Sequence, residues 1–90
     1  MSHTVKKKAK ILARVRRIKG QMEAIERALE AEAPCADVLN LVASVRGAVG
    51  GLTAELIEDH IHEHIVHAAG EAERHRGAEE LVEVVRSYLK

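Results

Sequence analysis

An all-α chain of three helices, the second of them long, is predicted by three observations. Apolar residues Ile11, Val15, Ile18, Met22, Ile25 and Leu29 recur in steps of 4, 3, 4, 3 and 4, the heptad seam of a helix that pairs with another. A second apolar series, Val38, Leu41, Val42, Val45, Val49, Leu52, Leu56, Ile57, Ile61 and Ile65, keeps helical spacing for about 30 residues. No segment alternates polar and apolar residues with the period of two expected of a half-buried strand.

The first helix is expected over residues 6–30. Lys10, Arg14 and Arg17 lie at i, i+4 and i+7 and form a basic stripe beside the seam. Residues 31–34 break the pattern, because Pro34 suits a turn or a helix start and not a helix interior. The second helix is expected from Cys35 to about His67, roughly 45 Å at 1.5 Å per residue. Gly47, Gly50 and Gly51 sit inside it and weaken it by about 1 kcal/mol each relative to Ala. A closely packed neighbouring backbone, or a kink, would account for them. Residues 70–77 read as a charged connection. Leu81, Val84, Val85, Tyr88 and Leu89 then make a short amphipathic third helix.

Ninety residues make one domain, 1–90, with a thin core for which oligomerisation is a common remedy. Tyr88 is the only aromatic residue, which argues against single-stranded nucleic acid as a ligand, since that needs rings for stacking. The single cysteine, Cys35, permits no intrachain disulfide and suits a reducing cytoplasm. The N-terminus lacks the apolar stretch of a signal peptide or membrane span, so a cytoplasmic protein without membrane contact is expected. The second helix is too long to fold into a compact globule with two others. It reads as the spine of a dimer, packed on the same helix of a second chain.

The zero net charge hides a dipole. Residues 1–19 carry eight Lys or Arg and no acid; the rest carries six bases against fourteen acids. A basic arm of this kind points to a polyanionic partner.

The chemistry concentrates in His60, His62, Glu63, His64 and His67. On an α-helix, taking His60 as the origin, His64 lies at about 40° and His67 at about 340°, while His62 at about 200° points away. Three imidazoles then share one face, and two at i, i+4 can chelate one ion. Cys35 lies near a helix N-terminus, where the dipole favours thiolate. It is 25 residues from His60 on one helix, about 37 Å away, so the two cannot share an ion within a chain. In an antiparallel pair of second helices, Cys35 of one chain meets His60 and His64 of the other, giving two equivalent sites. His3 and the amine of Ser2, if Met1 is removed, are further donors. Imidazoles, one thiolate and an amine suit Ni(II), Co(II) or Zn(II), and five or six donors exceed what tetrahedral zinc needs. A zinc hydrolase is disfavoured, because the spacing around Glu63 is not HExxH.

Arg14-Val15-Arg16-Arg17-Ile18-Lys19-Gly20-Gln21, the isolated Cys35, Val45-Arg46-Gly47-Ala48 and His60-x-x-Glu63-His64-Ile65-Val66-His67 together resemble the CsoR/RcnR/FrmR family of metal- and formaldehyde-responsive repressors, over nearly the whole chain. The Ser2-His3 start and the histidine pattern are most similar to the nickel- and cobalt-sensing branch. The resemblance implies a three-helix subunit and an antiparallel dimer that pairs into a tetramer, a dimer of dimers, binding double-stranded operator DNA without a helix-turn-helix. DNA-binding residues by that likeness are Arg14 and Arg46, with Arg17 and Lys19 added. Ligands would be the N-terminal amine, His3, Cys35, His60 and His64, with His67 used for cobalt. Gly50 replaces a commonly found Asn, and residues 81–90 look more like the formaldehyde-sensing branch. The expected function is a non-enzymatic repressor released from DNA by Ni(II) or Co(II), with control of metal efflux genes. Two alternatives stand beside it: a formaldehyde sensor using Cys35 and the N-terminal amine, and a metal buffer that never meets DNA.

Overall fold

The structure is a computed structural model that describes residues 5–90; Ser2 and His3 lie outside them. Three α-helices, α1 (Val5–Glu30), α2 (Cys35–Ile61) and α3 (Glu71–Tyr88), follow one another, with a π turn at His62–Val66 between the last two. No strand occurs among the described residues. The chain divides into two compact units, one reaching Thr53 and the other spanning Ala54–Lys90.

The first unit is a helical hairpin. At the end of α1, Ala33 N–H donates to Ala28 O at 2.9 Å and Glu32 N–H to Leu29 O at 3.1 Å. This nested pair is a Schellman closure, with Glu32 in the left-handed position that usually takes glycine (φ 54°). Pro34 then caps α2: its carbonyl accepts from Asp37 and Val38 N–H, and Cys35 is the first helical residue. Asp37 in the first turn suits the positive end of the helix dipole. Across the hairpin, Gln21 Nε2 donates to Ser44 Oγ at 3.3 Å, and the Arg14 guanidinium lies over Gly51. Each pair is equidistant in sequence from the turn at 32–33, as an antiparallel register requires.

This register rotates α1 relative to the predicted seam. Ile11, Ile18 and Ile25 are half-buried as expected, but the row beside them that is also half-buried is Arg14, Gln21 and Ala28. The other apolar row, Val15, Met22 and Leu29, is left 41%, 51% and 60% exposed. On α2, Val42, Val49 and Leu56, again seven apart, are exposed too. No hydrophobic side chain among the described residues is fully buried, and the chain exposes 6983 Å². A folded monomer of this mass exposes about 5,200 Å².

Cys35–Val66 is long and apolar enough, by length and composition alone, to cross a membrane. Arg46, Glu55, Glu58, Asp59 and Glu63 interrupt it, a load of charge that a lipid-facing helix carries only at high cost.

In the second unit, α2 does not continue as an α-helix to His67. It passes into the π turn at His62, where bonds reach one residue further back than in an α-helix. The third helix begins at Glu71, ten residues before the first apolar residue that predicted it. Glu71 and Glu73 in its first turn favour helix there. Gly77, read from sequence as a loop residue, is a buried helical residue instead. A Cβ on it would lie 2.8 Å from the His64 carbonyl carbon and closer still to its oxygen. Glycine therefore lets α3 lie directly on the π turn.

Candidate functional site

The second unit assembles the histidines. His60 Nε2 lies 2.9 Å from the Gly77 carbonyl oxygen and 3.7 Å from Glu80 Oε1. A carbonyl only accepts, so Nε2 is the donor, and in the neutral ring Nδ1 is then the acceptor. This is how metal-binding histidines are commonly oriented, one nitrogen donating to a carbonyl or carboxylate and the other free for the ion.

The His60 and His64 ring centres are 4.8 Å apart, with planes at 44°. For metal–nitrogen bonds of about 2.0–2.1 Å, two imidazoles on one ion at right to tetrahedral angles have centres about 4.5–5 Å apart. The spacing of the ring centres falls in that range. His64, Glu73, Arg76, Gly77 and Glu80 line a groove of about 280 Å³ beside it. Glu63 Oε2 is buried without a hydrogen-bond partner.

His67 does not pair with them as the α-helical wheel predicted. Its ring lies nearly parallel to that of His62, 6.3 Å between centres, because the π turn adds a residue before it. His75 sits on α3 and not in a loop, 3.5 Å from Glu79 Oε1. Cys35 is exposed and free at the first residue of α2, whereas His60 is next to its last. Among the described residues no three His, Cys, Asp or Glu side chains of one chain could hold an ion.

The basic candidates belong to the hairpin. Arg17, Lys19 and Arg46 are exposed and Arg14 is half-buried. A Cβ at Gly51 would stand 3.0 Å from Arg14 Nη1, so this glycine leaves room for a guanidinium and not for a neighbouring backbone. Gly47 and Gly50 have nothing within 4 Å of a would-be Cβ. The site residues that sequence reasoning missed are Arg74, Gly77 and Glu80, all assigned to the loop or its edge. The acid-rich start after Gly70 was the signal for helix there.

Residues 7–87 match the model of one protein family, described as metal-sensitive transcriptional repressor. The chain belongs to that family. Its members are transcriptional repressors and not enzymes. A protein of the bioA 5′ region of Serratia marcescens is 53% identical to this repressor over the full length of both chains. The transcriptional repressor RcnR of Salmonella paratyphi B is 43% identical, again over the whole of both.

Two solved structures share the repressor's fold. A glutamate-to-histidine variant of the formaldehyde-responsive regulator FrmR from Salmonella enterica serovar Typhimurium has a TM-score of 0.85 and 43% identity, covering 96% of this chain and 98% of its own. The copper-sensing repressor CsoR with Cu(I) from Geobacillus thermodenitrificans has a TM-score of 0.91, covering 98% and 92%. At 24% identity it speaks to the fold alone.

Proposed function

We propose that this repressor binds double-stranded operator DNA in its metal-free form and releases it when Ni(II) or Co(II) occupies a site completed between two chains. The observation that carries the reading is the His60–His64 pair, 4.8 Å between ring centres, with His60 Nε2 on the Gly77 carbonyl and Nδ1 outside that bond. Two imidazoles do not complete a coordination sphere. Cys35, exposed at the opposite end of α2, supplies the thiolate when a second α2 runs antiparallel. Ser2 and His3 are candidate further ligands, as is His67, and Zn(II) is compatible with the same donors.

The exposed apolar rows on α1 and α2 support a subunit that assembles, as an antiparallel dimer and then a dimer of dimers. Assembly would bury those rows and carry the basic residues Arg14, Arg17, Lys19 and Arg46 of several chains onto one DNA-binding surface. The ion supplies a bond between chains; the protein converts it to a changed spacing of those residues along the DNA. A hundredfold loss of DNA affinity requires about 2.7 kcal/mol of coupling, within the range for allosteric proteins. Metal efflux genes are the proposed targets, in the cytoplasm.

Anaerobic titration of the apoprotein with Co(II) or Ni(II), followed by operator binding, tests this. A thiolate-to-metal absorption band, absent in Cys35→Ala, and weakened DNA binding are expected. Unchanged affinity for the operator in saturating metal refutes it.

The 43% identity to the formaldehyde-responsive regulator FrmR, together with the exposed free Cys35, favours one second reading. Formaldehyde would join the Cys35 sulfur to the N-terminal amine by a methylene bridge, with loss of water. Intact-protein mass spectrometry after formaldehyde exposure separates the two, since only this reading requires the added carbon between Cys35 and the N-terminus.

A further inference from the structure

An α-helix running unbroken through this segment would carry His67 three residues after His64 and seven after His60, on one face. The chain does otherwise. The backbone at His62–Val66 takes π geometry, and His67 N–H reaches the His62 carbonyl at 2.9 Å. The longer turn swings His67 round to His62, while His60 and His64 keep their own pairing.

Two contacts from α3 hold this register. Arg74 Nε donates to the Ile65 carbonyl at 3.0 Å, a charge-assisted bond to the backbone of the π turn itself. Glu71 pairs with the same guanidinium and keeps it on the α3 side. Gly77 lets α3 approach until it touches the His64 carbonyl. Rewinding His62–Val66 into α register would turn the Ile65 carbonyl away from Arg74.

We propose that the π turn is a ligand selector and Arg74 its latch. With the turn in π register the chain offers two imidazoles, His60 and His64; rewound to α register it offers His67 as a third. The proposal rests on the metal-sensing reading above. It makes coordination number the basis of discrimination. An ion content with few protein donors leaves the turn as it is, whereas a six-coordinate ion gains from the third imidazole and works against the latch. Arg74 is thus a positioning residue for metal selection, without touching the ion.

The test uses the full-length protein with Arg74→Ala or Arg74→Lys, each with and without His67→Ala, and Co(II) and Zn(II) as probes. Arg74→Ala is expected to bind Co(II) about tenfold more tightly than the native chain, with Zn(II) affinity changed by less than about twofold. Arg74→Lys restores a donor and returns Co(II) affinity toward the native value, and His67→Ala abolishes the gain. Unchanged Co(II) affinity in Arg74→Ala, or a gain that survives His67→Ala, overturns the proposal. In the metal-free protein, nuclear Overhauser contacts are expected between the His62 and His67 rings of the native chain, and between His64 and His67 in Arg74→Ala. Persistence of the His62–His67 contact in that variant overturns the latch whatever the metal results. If those rings rearrange as stated but the native chain binds neither ion through His60 and His64, the latch stands and the metal-sensing reading falls.

Discussion

Replacing Gly77 by alanine separates helix propensity from tertiary contact by the sign of its effect. Gly77 lies within α3, where alanine is better than glycine by about 0.8–1.0 kcal/mol. Local preference alone therefore makes Gly77→Ala stabilising. The contact acts the other way. The new Cβ would stand 2.8 Å from the carbonyl carbon of His64 and 2.9 Å from its Cβ, against about 3.5–4.0 Å for carbon atoms in contact. These atoms belong to or adjoin the backbone, so no rotamer relieves the clash, and α3 must withdraw by about 1 Å. Overpacking of this kind costs about 1–3 kcal/mol. The withdrawal also stretches the 2.9 Å contact from His60 Nε2 to the Gly77 carbonyl out of hydrogen-bonding range, a further loss of about 1 kcal/mol. The net expectation is a destabilisation of about 1–3 kcal/mol, with a fall in Tm of about 4–8 °C per kcal/mol for a chain of this size. Urea and thermal unfolding followed by circular dichroism, at one fixed chain concentration, measure it. Gly20→Ala is the matched control, since nothing lies within 4 Å of its would-be Cβ, and it is expected to gain the propensity term. A Gly77→Ala protein as stable as the native one, or more so, refutes the close approach of α3 to the π turn.

Glu32→Gly is expected to stabilise the chain by about 1 kcal/mol, because glycine takes the left-handed Schellman position without the Cβ penalty that φ 54° imposes on glutamate; a lower urea midpoint contradicts this. Cys35→Ala and His64→Ala are each expected to keep operator binding and lose its response to Co(II) or Ni(II), as read by fluorescence anisotropy of labelled DNA. Arg14→Ala should do the reverse, binding metal while losing operator affinity. Arg46→Ala should lower the slope of log affinity against log salt by about 1 per phosphate contact removed, and a slope unchanged from native excludes Arg46 from the DNA surface.

The helical class, the position of the break at residues 31–34 and the start of α2 at Cys35 were all legible before any coordinates. Each rests on local chemistry: heptad spacing within a single helix, a proline that cannot lie in a helix interior, and the absence of strand alternation. The concentration of base before residue 20 is likewise a property of composition. So is the i, i+4 relation of His60 and His64, which survives because it straddles the end of α2 by a single turn.

Contacts between segments distant in the chain decided the rest. The seam of α1 predicted an apolar interior face. The register of the hairpin instead turns Arg14 and Gln21 toward α2 and leaves Val15, Met22 and Leu29 outward, because the turn at Glu32 sets the rotation of one helix against the other. The wheel placed His67 with His60 and His64, since a wheel assumes one pitch throughout. It has no term for a guanidinium nine residues downstream bonding to the Ile65 carbonyl. Gly77 read as a breaker because glycine is a poor helix former. Its place inside α3 follows from the approach of another backbone, which intrinsic propensity does not register. Short-range periodicity thus determined that the chain is helical, where α1 ends and α2 begins, and which donors the chain carries, while packing between segments decided how far α3 extends, which faces meet and which imidazoles stand together.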